Sequence, residues 1–117
     1  MAKSILVIDD EQDVRDFLKS LLEDNEYSVG VAEDGMQAWE FVKKERPDLI
    51  LLDLMMPEQT GTGLFRRLRD RKEFKDIPVI IISGLAGRHV AVGKSVPVFD
   101  KPIDEESLLA KIREMLG

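Results

Sequence analysis

The chain has 117 residues, of which 44% are hydrophobic, and its 23 acidic residues outnumber its 17 basic ones, giving a formal net charge of −6. This length predicts a single domain over residues 1–117 that folds without metal or disulfide cross-links. The absence of cysteine excludes disulfides, thiolate zinc sites and thiol catalysis, and it is consistent with a reducing cytoplasm. Net acidity argues against direct nucleic-acid binding, and no apolar run approaches the ~18 residues of a membrane span.

The first half of the chain alternates between strand and helix patterns. Residues 5–8 form a continuous apolar run, which predicts a strand covered on both faces of a parallel sheet. A helical stripe follows, made of Val14, Phe17, Leu18, Leu21 and Leu22. Residues 27–32 predict a weaker strand at an edge of the sheet. The spacing of Ala38, Trp39 and Val42 then predicts a second helix.

The second half repeats this alternation. Apolar runs at residues 49–52 and 79–82 predict two more buried strands, and between them Leu64, Phe65 and Leu68 mark a third helix. Residues 96–99 predict a fifth strand at an edge, because Pro97 cannot donate a hydrogen bond to a strand ladder. The last helix is predicted to begin after a cap at Asp104. Its apolar positions are Leu108, Leu109, Ile112, Met115 and Leu116.

Strand and helix in alternation predict an α/β fold, a doubly wound five-stranded parallel sheet. In such sheets the ligand site lies at the carboxyl ends of the strands. There the predicted strands are followed by polar residues, namely Asp9 and Asp10, Asp53, Ser83 and Lys101. These side chains are therefore expected to converge on one site.

The residue types at this site predict phosphoryl chemistry. Three carboxylates in one crevice repel one another, and their hard oxygen atoms suit Mg²⁺. Asp53 stands alone at its strand end, so it is the candidate nucleophile on phosphorus, with Lys101 neutralising charge on the transferred group. Ser83 would donate its hydroxyl to a phosphoryl oxygen.

Four short motifs resemble those of the receiver domains of bacterial two-component response regulators, and the resemblance covers essentially the whole chain. They are Ile5-Leu6-Val7-Ile8-Asp9-Asp10-Glu11, Asp53-Leu54-Met55-Met56-Pro57 with Gly61, Ser83-Gly84, and Lys101-Pro102. Each motif alone is unspecific, but their order and spacing together are highly specific. The resemblance implies the flavodoxin-like strand order 2-1-3-4-5.

The resemblance also implies a role for each site residue. Asp53 would accept a phosphoryl group from a sensor histidine kinase or a histidine phosphotransfer protein. Asp10 would bind Mg²⁺ directly, Asp9 would act through a metal-bound water, and the backbone carbonyl of Met55 would be a further ligand. Ser83 would occupy the family's hydroxyl position, and Lys101 would contact the phosphoryl group.

Beyond the site, the resemblance implies a cis bond between Lys101 and Pro102. Phosphorylation would switch protein–protein contacts with an output protein or domain that the sequence does not identify. The protein is accordingly expected to be a phosphoacceptor switch rather than an enzyme with steady turnover.

Two features depart from the family pattern. The usual switch aromatic, three places before the lysine, is replaced by Val98, and Phe99 is expected to point to the opposite face of the sheet. Seventeen residues separate Ser83 from Lys101, fewer than the pattern needs for a full helix and strand. The segment between the fourth and fifth strands is therefore predicted to hold a shortened or disordered helix within about residues 88–95.

Two other functional classes share parts of this residue pattern. A Mg²⁺-dependent phosphatase of the haloacid dehalogenase type needs a second acid two residues after its nucleophile, where this chain has Met55. A receiver-like interaction module that is never phosphorylated is expected to lack one of the acids or the lysine. Because no effector segment follows Gly117, the chain is expected to be either a single-domain regulator or a receiver cut from a longer protein.

Overall fold

The computed structural model of the protein describes residues 2–53, 61–83 and 96–116. The five strands are β1 (Ser4–Ile8), β2 (Ser28–Ala32), β3 (Leu49–Asp53), β4 (Val79–Ser83) and β5 (Val98–Asp100). The helices in these residues are α1 (Gln12–Asp24), α2 (Gly35–Lys44), α3 (Gly61–Asp70) and α4 (Glu105–Leu116).

The strands form one parallel sheet in the order β2-β1-β3-β4-β5. This order confirms the predicted fold, with the three continuous apolar runs at the centre and the two weaker strands at the edges. The carboxyl ends of all five strands consequently lie at one edge of the sheet, where a ligand site is expected.

Helices cover both faces of the sheet because successive residues of a buried strand point to opposite sides. On one face, alternate strand residues pack with apolar side chains of α2 and α3, including Trp39 and Leu68. On the other face, the intervening residues pack with α1 and α4, including Leu18 and Ile112. The central strands are thus buried on both faces, which explains their continuous apolar runs.

Side-chain caps start two of the helices. Asp34 accepts a hydrogen bond from the backbone N–H of Gln37 at the start of α2, over 2.8 Å. Asp104 accepts one from the backbone N–H of Ser107 at the start of α4, over 3.1 Å, which confirms the predicted cap. Each carboxylate satisfies an N–H group that the helix itself leaves without a partner.

Gly30 lies where β2 and α2 approach closely. A Cβ atom at this position would lie 2.5 Å from the Cε2 and Cζ ring atoms of Phe41. The missing side chain therefore leaves room for the Phe41 ring to pack directly against the edge strand.

The structure differs from the sequence prediction most at the two edge strands and at one residue of α1. Tyr27 precedes β2, and Val96 and Pro97 precede β5, although the Pro97 carbonyl still accepts a hydrogen bond from the Ile81 N–H over 2.9 Å. Phe17, predicted to belong to the apolar stripe of α1, is 40% exposed. The helix turns Leu18 and Leu22 toward the sheet and leaves Phe17 on its flank. The shortened or disordered helix predicted within about residues 88–95 lies outside the described residues.

Candidate functional site

The polar residues predicted at the strand ends meet at the carboxyl edge of the sheet. Asp9 directly follows β1, Asp53 is the last residue of β3, and Lys101 directly follows β5. The parallel pairings of β1 with β3, of β3 with β4 and of β4 with β5 align these ends although the residues are far apart in sequence.

Three carboxylates form the acidic cluster of this site. Asp9, Asp10 and Asp53 each place one carboxylate oxygen within 4.8 Å of the others. Asp9 and Asp53 are buried, at 2% and 4% exposure, whereas Asp10 is exposed. Three hard oxygen donors with one open side are a suitable ligand set for Mg²⁺, which keeps several of its waters when bound.

Lys101 provides the positive charge next to this cluster. Its Nζ lies 2.9 Å from Asp9 Oδ2, 2.8 Å from Glu11 Oε1 and 3.6 Å from Asp53 Oδ2. Burial by itself lowers the pKa of Lys101, but the hydrogen bonds to Glu11 and Asp9 and the attraction of Asp53 raise the pKa overall. Lys101 is therefore a firmly charged ammonium group shared among three acids.

Glu11 is the residue of this site that the sequence analysis did not assign. Its hydrogen bond to Lys101 lowers the pKa of the Glu11 carboxyl group. Its backbone N–H donates to Asp9 Oδ1 over 2.9 Å, so it is also tied to the acidic cluster. The sequence signal was its place directly after the two acids, but Lys101 lies 90 positions further along the chain.

The remaining predicted residues have different positions. Ser83 ends β4 and pairs with Asp100 of β5, which puts its backbone at the same sheet edge. Met55, predicted to supply a backbone carbonyl, lies outside the described residues. Val98 packs against the α2–α3 side and Phe99 against the α1–α4 side. The prediction that Phe99 faces away from the position of Val98 is thereby confirmed.

Two further observations bear on the predictions. The peptide bond between Lys101 and Pro102 is cis, as predicted. Among residues 2–53, 61–83 and 96–116, no helix is both long and apolar enough to cross a bilayer.

The sequence was compared with known proteins. A sequence model of the response regulator receiver domain matches residues 5–113. The response regulator MprA of Mycobacterium leprae is 37% identical over 119 residues, covering 96% of this chain and 50% of that protein. MprA of Mycobacterium ulcerans is 35% identical over 123 residues, covering 99% and 51%. The chain thus spans about half the length of these curated relatives.

Two solved structures are similar to this chain in fold. The signal receiver domain of a histidine kinase from Syntrophus aciditrophicus has a TM-score of 0.89 and 30% identity, covering 98% of this chain and 90% of that one. The chemotaxis protein CheY4 of Vibrio cholerae has a TM-score of 0.89 and 27% identity, covering 99% and 100%. With matching sequence, sheet order and acidic cluster, the chain belongs to the response regulator receiver domain family of two-component systems.

Proposed function

We propose that this domain is a Mg²⁺-dependent phosphoacceptor switch in which Asp53 receives a phosphoryl group from a histidine kinase or a histidine phosphotransfer protein. The observation that supports this most directly is that Asp9, Asp10 and Asp53 lie together with the Lys101 ammonium group. Three neighbouring carboxylates repel one another, so a domain that had lost phosphoacceptor chemistry would have no need to keep them together beside a lysine.

The chemistry follows from the positions of these groups. An Asp53 carboxylate oxygen attacks phosphorus, the bond from phosphorus to the donor breaks, and an acyl phosphate forms on Asp53. Lys101 is close enough to turn from Asp9 toward the added phosphoryl oxygens and offset their charge. Asp9, Asp10 and Asp53, with the backbone carbonyl of Met55, would hold Mg²⁺, which when bound neutralises charge on the transferring group.

The hydroxyl of Ser83 would donate to a phosphoryl oxygen, since its backbone ends β4 at this edge of the sheet. The product would act by changing protein–protein contacts with an output protein or domain, in the cytoplasm. We further propose that the domain is not an enzyme in the sense of steady turnover. Position 55, where a phosphatase of the haloacid dehalogenase type needs its second acid, is Met.

Mapping of the phosphorylated residue tests this proposal. The protein is incubated with acetyl phosphate and Mg²⁺, and the adduct is located by mass spectrometry. We expect one phosphoryl group on Asp53, none on an Asp53→Asn variant, and unchanged labelling of Asp16→Asn, which removes an exposed carboxylate from α1. Equal labelling of Asp53→Asn, or labelling that persists in EDTA, would refute the proposal.

A further inference from the structure

Glu11 has an unusual position for a residue at the start of a helix. It is the N-cap of α1, yet its side chain makes no capping hydrogen bond. The carboxylate instead reaches across to Lys101, which follows the edge strand β5, although Glu11 itself is 61% exposed on its side chain. Since the Glu11 side chain does not cap α1, its described contact is with the lysine.

The position of Lys101 shows the effect of this contact. Its Nζ lies 2.8 Å from Glu11 and 2.9 Å from Asp9, but 3.6 Å from Asp53. An ammonium group has three N–H donors and settles where the sum of its attractions is strongest. The ammonium group therefore lies closer to the exposed Glu11 carboxylate than to the buried Asp53 carboxylate.

We propose that Glu11 is a positioning residue that holds Lys101 toward the rim of the acidic cluster of Asp9, Asp10 and Asp53, so that a divalent cation can reach the oxygens of Asp10 and Asp53. This inference rests on the proposed function, because it assumes that these three carboxylates bind Mg²⁺. Without the Glu11 charge, Lys101 settles deeper between Asp9 and Asp53, where it competes with the metal for the same oxygen atoms.

The size of this effect follows from the exposure of Glu11. Exposed ion pairs are weak because water screens them, and their measured strengths correspond to roughly two- to fivefold in an equilibrium constant. We therefore expect Glu11→Gln to weaken Mg²⁺ binding by roughly two- to fivefold. Gln keeps nearly the same shape, so the variant changes charge more than packing.

The test is a Mg²⁺ titration of the unphosphorylated protein by calorimetry at constant ionic strength. Loss of any nearby negative charge also weakens cation binding, so Asp13→Asn is the matched control. Asp13 lines the same open cavity as Lys101, lies two positions from Glu11, and makes no ion pair with Lys101 among the described contacts. We expect Asp13→Asn to weaken Mg²⁺ binding less than twofold.

A second comparison asks whether Glu11 acts through Lys101. In a Lys101→Gln background, Glu11→Gln should weaken Mg²⁺ binding no more than Asp13→Asn does. If that background does not fold, the comparison of Glu11→Gln with Asp13→Asn in the unsubstituted chain decides alone. Equal effects of these two variants, or a Glu11 effect that persists without Lys101, would overturn the inference and leave the proposed function intact. No Mg²⁺ binding by the unsubstituted protein would overturn both.

Discussion

Asp9 and Asp10 are neighbours in the chain, but they lie in different surroundings. Asp9 is buried, and its two carboxylate oxygens bind the Glu11 backbone N–H and the Lys101 ammonium group. Asp10 is exposed and accepts no hydrogen bond from the described residues. Asp9 is therefore already engaged in the folded protein, whereas Asp10 has its oxygens available for a metal ion.

This difference leads to a prediction for Asp10→Asn. The substitution removes one of three mutually repelling carboxylates, so we expect the free energy of unfolding to stay unchanged or to rise. Mg²⁺ affinity should fall at least about tenfold, the range expected for loss of a group that supports a metal site. Urea unfolding and Mg²⁺ calorimetry measure the two effects, with Asp16→Asn as the control. A variant that binds Mg²⁺ as well as the parent protein would contradict the metal assignment.

For single residues, the sequence predicts which acids and which lysine form the site, but it does not predict which of them form ion pairs. Asp9, Asp10, Asp53 and Lys101 could be predicted because each lies at or just after the end of a predicted strand. The pairing of Glu11 with Lys101 could not, because it depends on how the turn after β1 directs a flexible side chain toward the end of β5.

The start of α4 shows how one side chain supports an element. Asp104 accepts hydrogen bonds from the Ser107 hydroxyl and from the Ser107 backbone N–H, and these two bonds lower the pKa of the Asp104 carboxyl group. A carboxylate at this position also complements the positive end of the helix dipole. The cap therefore depends on the charged form of Asp104.

The cap predicts a pH dependence of stability. Because the folded-state pKa of Asp104 lies below its ordinary value of 3.8, its contribution is present above that value and is lost as pH falls through the lower, folded-state pKa. Asp104→Ala should lower the free energy of unfolding at pH 7, and the difference from the parent protein should shrink below about pH 4. Urea unfolding between pH 7 and pH 3 measures this. Glu106→Ala, in the same turn, is the control, and a difference that stays constant with pH would contradict the cap.

Strands and helices were most predictable where the burial of their faces is the same along the whole element. The central strands are apolar on both faces, so their runs marked them within one residue at each end. The edge strands and Phe17 were less predictable. An edge strand has a neighbouring strand on one side only, and the flank of a helix borders the solvent, so apolar residues at these places can face either the core or the solvent.

Across the whole molecule, Lys101 connects three strands. It follows β5 at one edge of the sheet and forms ion pairs with the acids at the ends of β1 and β3. Asp9 and Asp53 are buried, so Lys101 offsets a charge that would otherwise be costly to keep in a folded protein.

Lys101→Met tests this contribution to stability. The variant leaves two buried carboxylates without their ammonium partner, so we expect the free energy of unfolding to fall by about 1–3 kcal/mol, less than for a fully buried pair because Lys101 is partly exposed. Excess Mg²⁺ should restore part of the loss by binding the folded state. Lys111→Met, which removes an exposed pair with Glu114, should cost under about 1 kcal/mol. Equal losses in both variants would show that Lys101 has no such role.

The sequence by itself determined the fold class, the strand order through the family resemblance, and the acids and lysine at the strand ends. These follow from local patterns, because strands buried on both faces are continuous apolar runs and the carboxyl ends of parallel strands lie at the same edge of a sheet. Tertiary structure alone decided the distances. Only folding could show that Lys101 lies closer to Glu11 than to Asp53, because that balance depends on charges brought together from opposite ends of the chain.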